Sequence, residues 1–265
     1  RIRIQQGEGE EGTANAARFY AKTGGLEVGV GNIYGALEWM AGQYPIDLGL
    51  TGLGYEYTAY GVGGADAYSS GGTGASGRNG IEVMYSAGDF SAHISASDAA
   101  DAASSDRVAA NVAYTMSDWT VALGMQDSDA AKDVDWTATV GGKIGGVSLG
   151  LGYAETNAGV DRTVMTVGMD VGAATNVEAY IADQSDRPDT GYGVDFNLSR
   201  RCRPSILGGV ASPPTGPTYP DFGVRFNFQS TGASDYGTCC PRARLVSWSS
   251  AMFLSGRRTH SYSGD

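Results

Sequence analysis

Cysteine is absent from the first 201 residues; all three, Cys202, Cys239 and Cys240, fall in the last quarter of a 265-residue chain. The main body therefore has neither a disulfide framework nor a thiolate metal centre. Histidine is almost as scarce, with only His93 and His260. A zinc site or a nucleophile–His–carboxylate triad would need partners that the body lacks. Long apolar runs are missing too, and no stretch reaches the roughly 18 residues that mark a helical membrane span. The Gly-rich 61–77 region contains no G-x-x-x-x-G-K-[ST] loop, so it gives no support for nucleotide binding. The N-terminus does not show the charged, apolar and small-residue regions of a signal peptide. Positive charge is sparse: 18 Lys and Arg against 29 Asp and Glu give a net charge of −11. An acidic body argues against nucleic acid as a partner.

What the chain has in quantity is glycine and tyrosine, 41 and 15 residues, with only eight prolines. That mixture fits neither collagen nor a helical protein. A membrane-spanning β-strand, by contrast, needs only about 9–11 residues, of which every second one is apolar. Period-two alternation of this kind recurs along the chain. It predicts fourteen strands, at 1–5, 16–22, 26–31, 81–86, 90–95, 108–116, 119–125, 134–140, 147–153, 165–171, 177–181, 192–198, 205–211 and 222–228.

Alternation is also the mark of a soluble sandwich, so the connections decide. Tight links at 23–25, 88–89, 117–118, 142–146 and 172–174 are interleaved with longer ones, most of them acidic. An up-and-down barrel sorts its turns in this way, short at one rim and long at the other. The polar face is rich in small residues, as in Thr120-x-Ala122-x-Gly124 and Ser148-x-Gly150-x-Gly152. Such side chains cannot fill a wide barrel, which implies a water-filled interior. Tyr85, Tyr114, Trp119, Trp136 and Tyr153, near strand ends, suit the two membrane interfaces.

The longest connection, 32–79, carries both packing residues such as Leu37, Trp39, Met40 and Ile46 and acids at Glu38, Asp47, Glu56 and Asp66. A structureless connection of that length signals function or disorder. Its apolar content predicts that it folds against the wall, inside the barrel, and narrows it.

The segments VGNIYGALEWM (30–40), NGIEVMYSAGDFSAHISASD (79–98), GAATNVEAYIAD (172–183) and DFGVRFNF (221–228) resemble the outer-membrane porins of the Rhodobacter type. The similarity runs from about Arg1 to Phe228. It implies an all-β, antiparallel, up-and-down transmembrane barrel with about 14 of an expected 16 strands present and the long loop in the lumen. It further implies an outer-membrane location among lipid, assembly as a homotrimer, no enzymatic activity, and passive diffusion of small hydrophilic solutes and ions.

On this basis residues 1–228 are expected to be a porin barrel lacking two N-terminal strands, and 229–265 an unstructured or out-of-frame tail. The run Ser199-Arg200-Arg201-Cys202-Arg203-Pro204 departs from the family, since a proline and three arginines are foreign to a lipid-facing strand. Residues 1–198 carry 10 Lys and Arg against 26 Asp and Glu, whereas the remainder carries 8 against 3.

The resemblance also suggests a charged constriction, with Arg1, Arg3, Arg18 and Lys22 on the wall and Glu38, Asp47 and Glu56 on the insert. The plainer alternative is that these are solvated surface charges. Glu27 and Glu82 belong either to the lumen or to a rim, and His93 is read as a lumen-lining polar residue. No cofactor is expected. The clusters Asp98, Asp101, Asp106 and Asp127, Asp129, Asp133, Asp135 offer oxygens that suit calcium, but they lack EF-hand spacing and also read as solvated loop acids. A pore-less adhesin, a barrel hydrolase and an inactive porin fragment remain the alternatives.

Overall fold

The computed structural model describes residues 4–5, 13–14, 17–46, 56–61, 79–98, 106–129, 133–172, 175–198, 205–213 and 218–225. Arg1, Arg3, Asp47, the run 199–204 and the tail 229–265 lie outside the described residues. The strands are β1 (Ile4–Gln5), β2 (Thr13–Ala14), β3 (Arg18–Thr23), β4 (Leu26–Asn32), β5 (Asn79–Ala87), β6 (Phe90–Ser97), β7 (Arg107–Met116) and β8 (Trp119–Ser128). They continue with β9 (Asp135–Ile144), β10 (Val147–Glu155), β11 (Asp161–Val171), β12 (Thr175–Gln184), β13 (Gly191–Leu198), β14 (Ser205–Ser212) and β15 (Tyr219–Arg225).

Strands β3 to β15 form one 13-stranded sheet in chain order, each antiparallel to its neighbours. Thirteen of the fourteen expected strands are members of this sheet. The remaining one differs: among the described residues Ile4–Gln5 pairs with Thr13–Ala14, a partner that alternation did not predict. Short hairpins join the strands on one rim. The two-residue turn between β7 and β8 opens on Ser117 at φ 54°, a sign of conformation that suits the right-handed twist of the flanking strands. A twisted sheet of more than about ten strands curls rather than staying open and flat.

The two faces of the sheet are inverted relative to a water-soluble protein. On β8, Val121 is 49%, Leu123 54% and Met125 57% exposed, whereas Ala122, Gly124 and Gln126, which alternate with them, are buried. Leu123 lies between Val112 on β7 and Ala138 on β9, and Val112 is exposed as well. The same holds for Val83, Ile94, Met165, Ile181 and Val194. Each such side chain forgoes about 1.5–3 kcal/mol if it faces water instead of an apolar medium. Repeated over a whole face, that loss is tolerable only if the medium outside is lipid. Tyr85, Tyr114 and Trp119 lie beside the short turns, and Trp136 and Tyr153 at the opposite rim, with ring centroids 5.2 Å apart. Both rims thus carry amphipathic rings at the expected interfaces.

Burial is found on the inner face, where three apolar clusters form between the wall and the insert. Leu37, Ala36 and Tyr60 gather on Ala109 and Ala154; Met40 on Ala113 and Ala122; Ile46 and Tyr57 on Val164, Tyr180, Ala182 and Ala211.

Candidate functional site

The insert leaves β4 at Gly31, whose φ of +94° turns the chain inward, and a Cβ there would come within 2.5 Å of the Ala17 carbonyl oxygen. Asn32 N then donates to that same oxygen at 3.1 Å. From here residues 32–46 run across the inner face and exchange hydrogen bonds with successive strands. Tyr34 N donates to Glu82 Oε2 on β5 at 3.0 Å, and Ala36 N to Ser95 Oγ on β6 at 2.9 Å. Asn111 Nδ2 on β7 donates to the Ala36 carbonyl, and Thr139 Oγ1 on β9 to the Ala41 carbonyl at 2.6 Å.

Between these anchors the small wall residues act as a bed. A Cβ at Gly124 would lie 2.6 Å from Leu37 Cδ2 and 2.7 Å from Met40 Sδ; one at Gly152 would lie 2.5 Å from Ala59 Cβ. The glycines that composition assigns to open water therefore hold the insert. This corrects the reason for their size, since they leave room for a second layer of chain.

The returning arm, 56–61, is fastened at the other side. Gln43 bridges the two arms: its Nε2 donates to the Tyr60 carbonyl at 2.7 Å and its Oε1 accepts from Tyr60 N at 3.0 Å. The Tyr60 hydroxyl donates to Asp135 Oδ2. Arg162, buried at the start of β11, donates through Nε to the Thr58 carbonyl at 3.0 Å and through Nη2 to the Glu56 carbonyl. The same Nη2 lies 3.3 Å from Glu56 Oε2, and Arg187 Nη1 lies 3.5 Å from Glu56 Oε1.

The charges group differently from a simple wall-against-loop field. Arg18 is only 4% exposed; its Nη2 lies 2.7 Å from Glu27 Oε1 and its Nε pairs with Glu82 Oε1. Lys22, on the same face, is exposed, with Nζ 3.6 Å from Glu27 Oε2. Glu27 and Glu82 are thus both inner-face residues. His93 does not line open lumen: it is buried, with Nε2 3.2 Å from Glu82 Oε2. Glu38, half-buried on the insert, accepts from the Tyr44 hydroxyl at 2.6 Å. Glu56 meets Arg162 and Arg187, not Arg18.

Arg162 falls outside the expected strand, which begins at residue 165, whereas β11 begins at Asp161. Carrying the expected alternation three residues back would have placed Arg162 on the inner face. Arg187 carried no such signal, because it lies in a connection. Asp135, grouped by sequence with loop acids, accepts from Tyr60 and from Asn157 N at 2.5 Å. Among the described residues no three His, Cys, Asp or Glu side chains come together as a metal-holding group.

Comparison with known proteins agrees with this architecture. A porin of Fuscovulum blasticum is 30% identical over 252 residues, covering 86% of this chain and 83% of its own. A solved triple mutant of the Rhodopseudomonas blastica porin superposes with a TM-score of 0.72 at 25% identity, over 86% of this chain and 83% of that one. A second mutant of the same porin gives a TM-score of 0.70 at 24% identity, over 85% and 82%. The profile of the Gram-negative porin family matches residues 2–203. With most of its length matched, the chain belongs to the Gram-negative porins, non-enzymatic β-barrels of the outer membrane through which solutes diffuse passively.

Proposed function

We propose that small hydrophilic solutes and ions cross the outer membrane through the part of the lumen that the insert leaves open, and that the chain assembles as a homotrimer. The observation that carries this reading is the inverted sheet: an apolar face outward, and a polar face crossed by the protein's own longest connection. Arg18 and Lys22 on the wall, with Glu38 and Glu56 on the insert, tune the field in the narrowed section. Arg162 and Arg187 join them there. Because Arg18 and Arg162 are already paired with carboxylates, Lys22 and Glu38 have the larger influence on passing ions. Family membership supports an oligomer.

Reconstitution into planar bilayers tests the pore, with stepwise ion conductance as the expected result; bilayers that stay electrically silent would refute it. Native mass spectrometry in detergent tests the trimer, and a monomer alone at micromolar concentration would count against it.

Burial holds the Glu38 carboxyl above the usual carboxylate range, against the smaller lowering effect of the Tyr44 hydroxyl. Raising pH through that elevated value ionises Glu38 and adds negative charge to the lumen. Potassium-over-chloride preference, read from reversal potentials across a salt gradient, is expected to step up there, and Glu38→Gln to abolish the step. The sign for stability follows: the folded carboxyl binds its proton more tightly than the unfolded chain does. Its stabilising contribution is complete below the unfolded range and is lost as pH rises through the folded value. Identical pH profiles for both proteins would sink the assignment.

A further inference from the structure

A lumen that carries only water and ions has no need of open aromatic faces, yet three are present on its inner side among the described residues. Tyr20, which shares the inner face of β3 with Arg18, is 59% exposed; Trp39 is 55% and Tyr44 37% exposed on the insert. These rings are connected. The Arg18 guanidinium carbon lies 4.9 Å from the Tyr20 ring centre and 4.6 Å from that of Tyr34. Tyr34 stacks on Trp39 with centroids 4.3 Å apart and planes inclined by 21°. Glu38, the residue before Trp39, accepts from the Tyr44 hydroxyl. Tyr44 in turn meets Tyr57 edge-on at 6.5 Å. Arg18, Tyr34 and Tyr57 are buried beneath this series, which leaves the Tyr20, Trp39 and Tyr44 rings, the Tyr44 hydroxyl and the Glu38 carboxyl along one luminal path.

We infer that this path is a binding track for neutral pyranose sugars, with Trp39 as its central platform. The inference rests on the pore reading above and names a solute class for it. A pyranose has a flat C–H face that packs on an aromatic ring and a rim of hydroxyls that needs hydrogen-bond partners. The path supplies both in alternation. Organic cations are the rival class for the exposed rings, because Arg18, which lies over Tyr34, is already neutralised by Glu27 and Glu82 and does not exclude them. Anions meet the Glu38 carboxyl, the neighbour of Trp39 in the chain. Purely apolar solutes cover the Glu38 carboxyl without offering it a hydrogen-bond donor beyond Tyr44.

Ion current through the reconstituted chain, measured while glucose, maltose or maltotriose is titrated in, tests the track, with choline chloride as the rival probe. The expected result is reversible block whose half-blocking concentration falls as the sugar lengthens, since a longer sugar meets more rings. Trp39→Ala should raise that concentration about tenfold, the usual order for losing one stacked ring. Trp39→Phe should raise it less, and Tyr192→Ala, on the lipid-facing side, should not move it. Each block is normalised to the variant's own open current. A conducting channel that sugars do not block, or block equally in Trp39→Ala, would overturn the track and leave the pore intact. Block by choline alone would overturn the solute class. Absence of any conductance would remove the pore, and the track with it.

Discussion

Leu123→Arg is expected to destabilise the folded barrel in lipid vesicles by about 2–4 kcal/mol, the cost of a cation on the lipid face near mid-membrane. Leu123 is the middle outward residue of β8, between exposed Val112 and outward-facing Ala138. Were this face bathed in water, arginine in place of an exposed leucine would change stability by less than about 0.5 kcal/mol. Urea titration of folding into vesicles, followed by the heat-dependent shift in gel mobility, separates the two outcomes. Gly124→Leu, one residue along the strand, supplies the contrast. Its side chain points inward and collides with Leu37 and Met40, so overpacking of about 1–3 kcal/mol is expected, along with a displaced insert and altered conductance. Two adjacent residues would thus report lipid on one side and packed protein on the other.

Arg162→Ala is the second large effect. It removes the donors to the Thr58 and Glu56 carbonyls and to the Gln184 side chain, the last at 2.7 Å, and leaves Glu56 with Arg187 alone. Truncating one member of a largely buried, hydrogen-bonded ion pair costs about 2–5 kcal/mol. Here the cost falls on the returning arm of the insert rather than on the sheet, whose ladder around Arg162 is intact through backbone bonds to β10 and β12. Single-channel records are therefore expected to show a larger and noisier open current, as the arm moves off the wall. A double-mutant cycle with Glu56→Gln isolates the pair. An unchanged current and unchanged stability would mean that Gln43 and Asp135 hold the arm without help.

Strand positions were legible because alternation is a local property. Val108 to Met116 and Trp119 to Met125 show it without interruption, and the observed strands β7 and β8 extend those runs by one residue at the start and three at the end. The sorting of short and long connections identified a barrel rather than a sandwich, and apolar content placed the insert inside. Arg18 and Lys22 were correctly assigned to one face, but the partners of Arg18 were not foreseen. Nothing near Arg18 announces Glu82, 64 residues away, or the Tyr34 ring that closes over the pair. Glu56 and Arg162 are 106 residues apart. Pairing across such distances depends on how many strands separate two residues and on how far the insert reaches, neither of which any short window contains.

What the sequence determined by itself was the direction of each side chain relative to the sheet, hence an apolar exterior and a polar interior, because successive residues of an extended chain must point to opposite sides. What only the tertiary structure decided was the use of that interior. Whether a glycine on the polar face borders water or supports a second layer of chain depends on where a distant segment comes to rest, and Gly124 under Leu37 and Met40 is the case that settles it here.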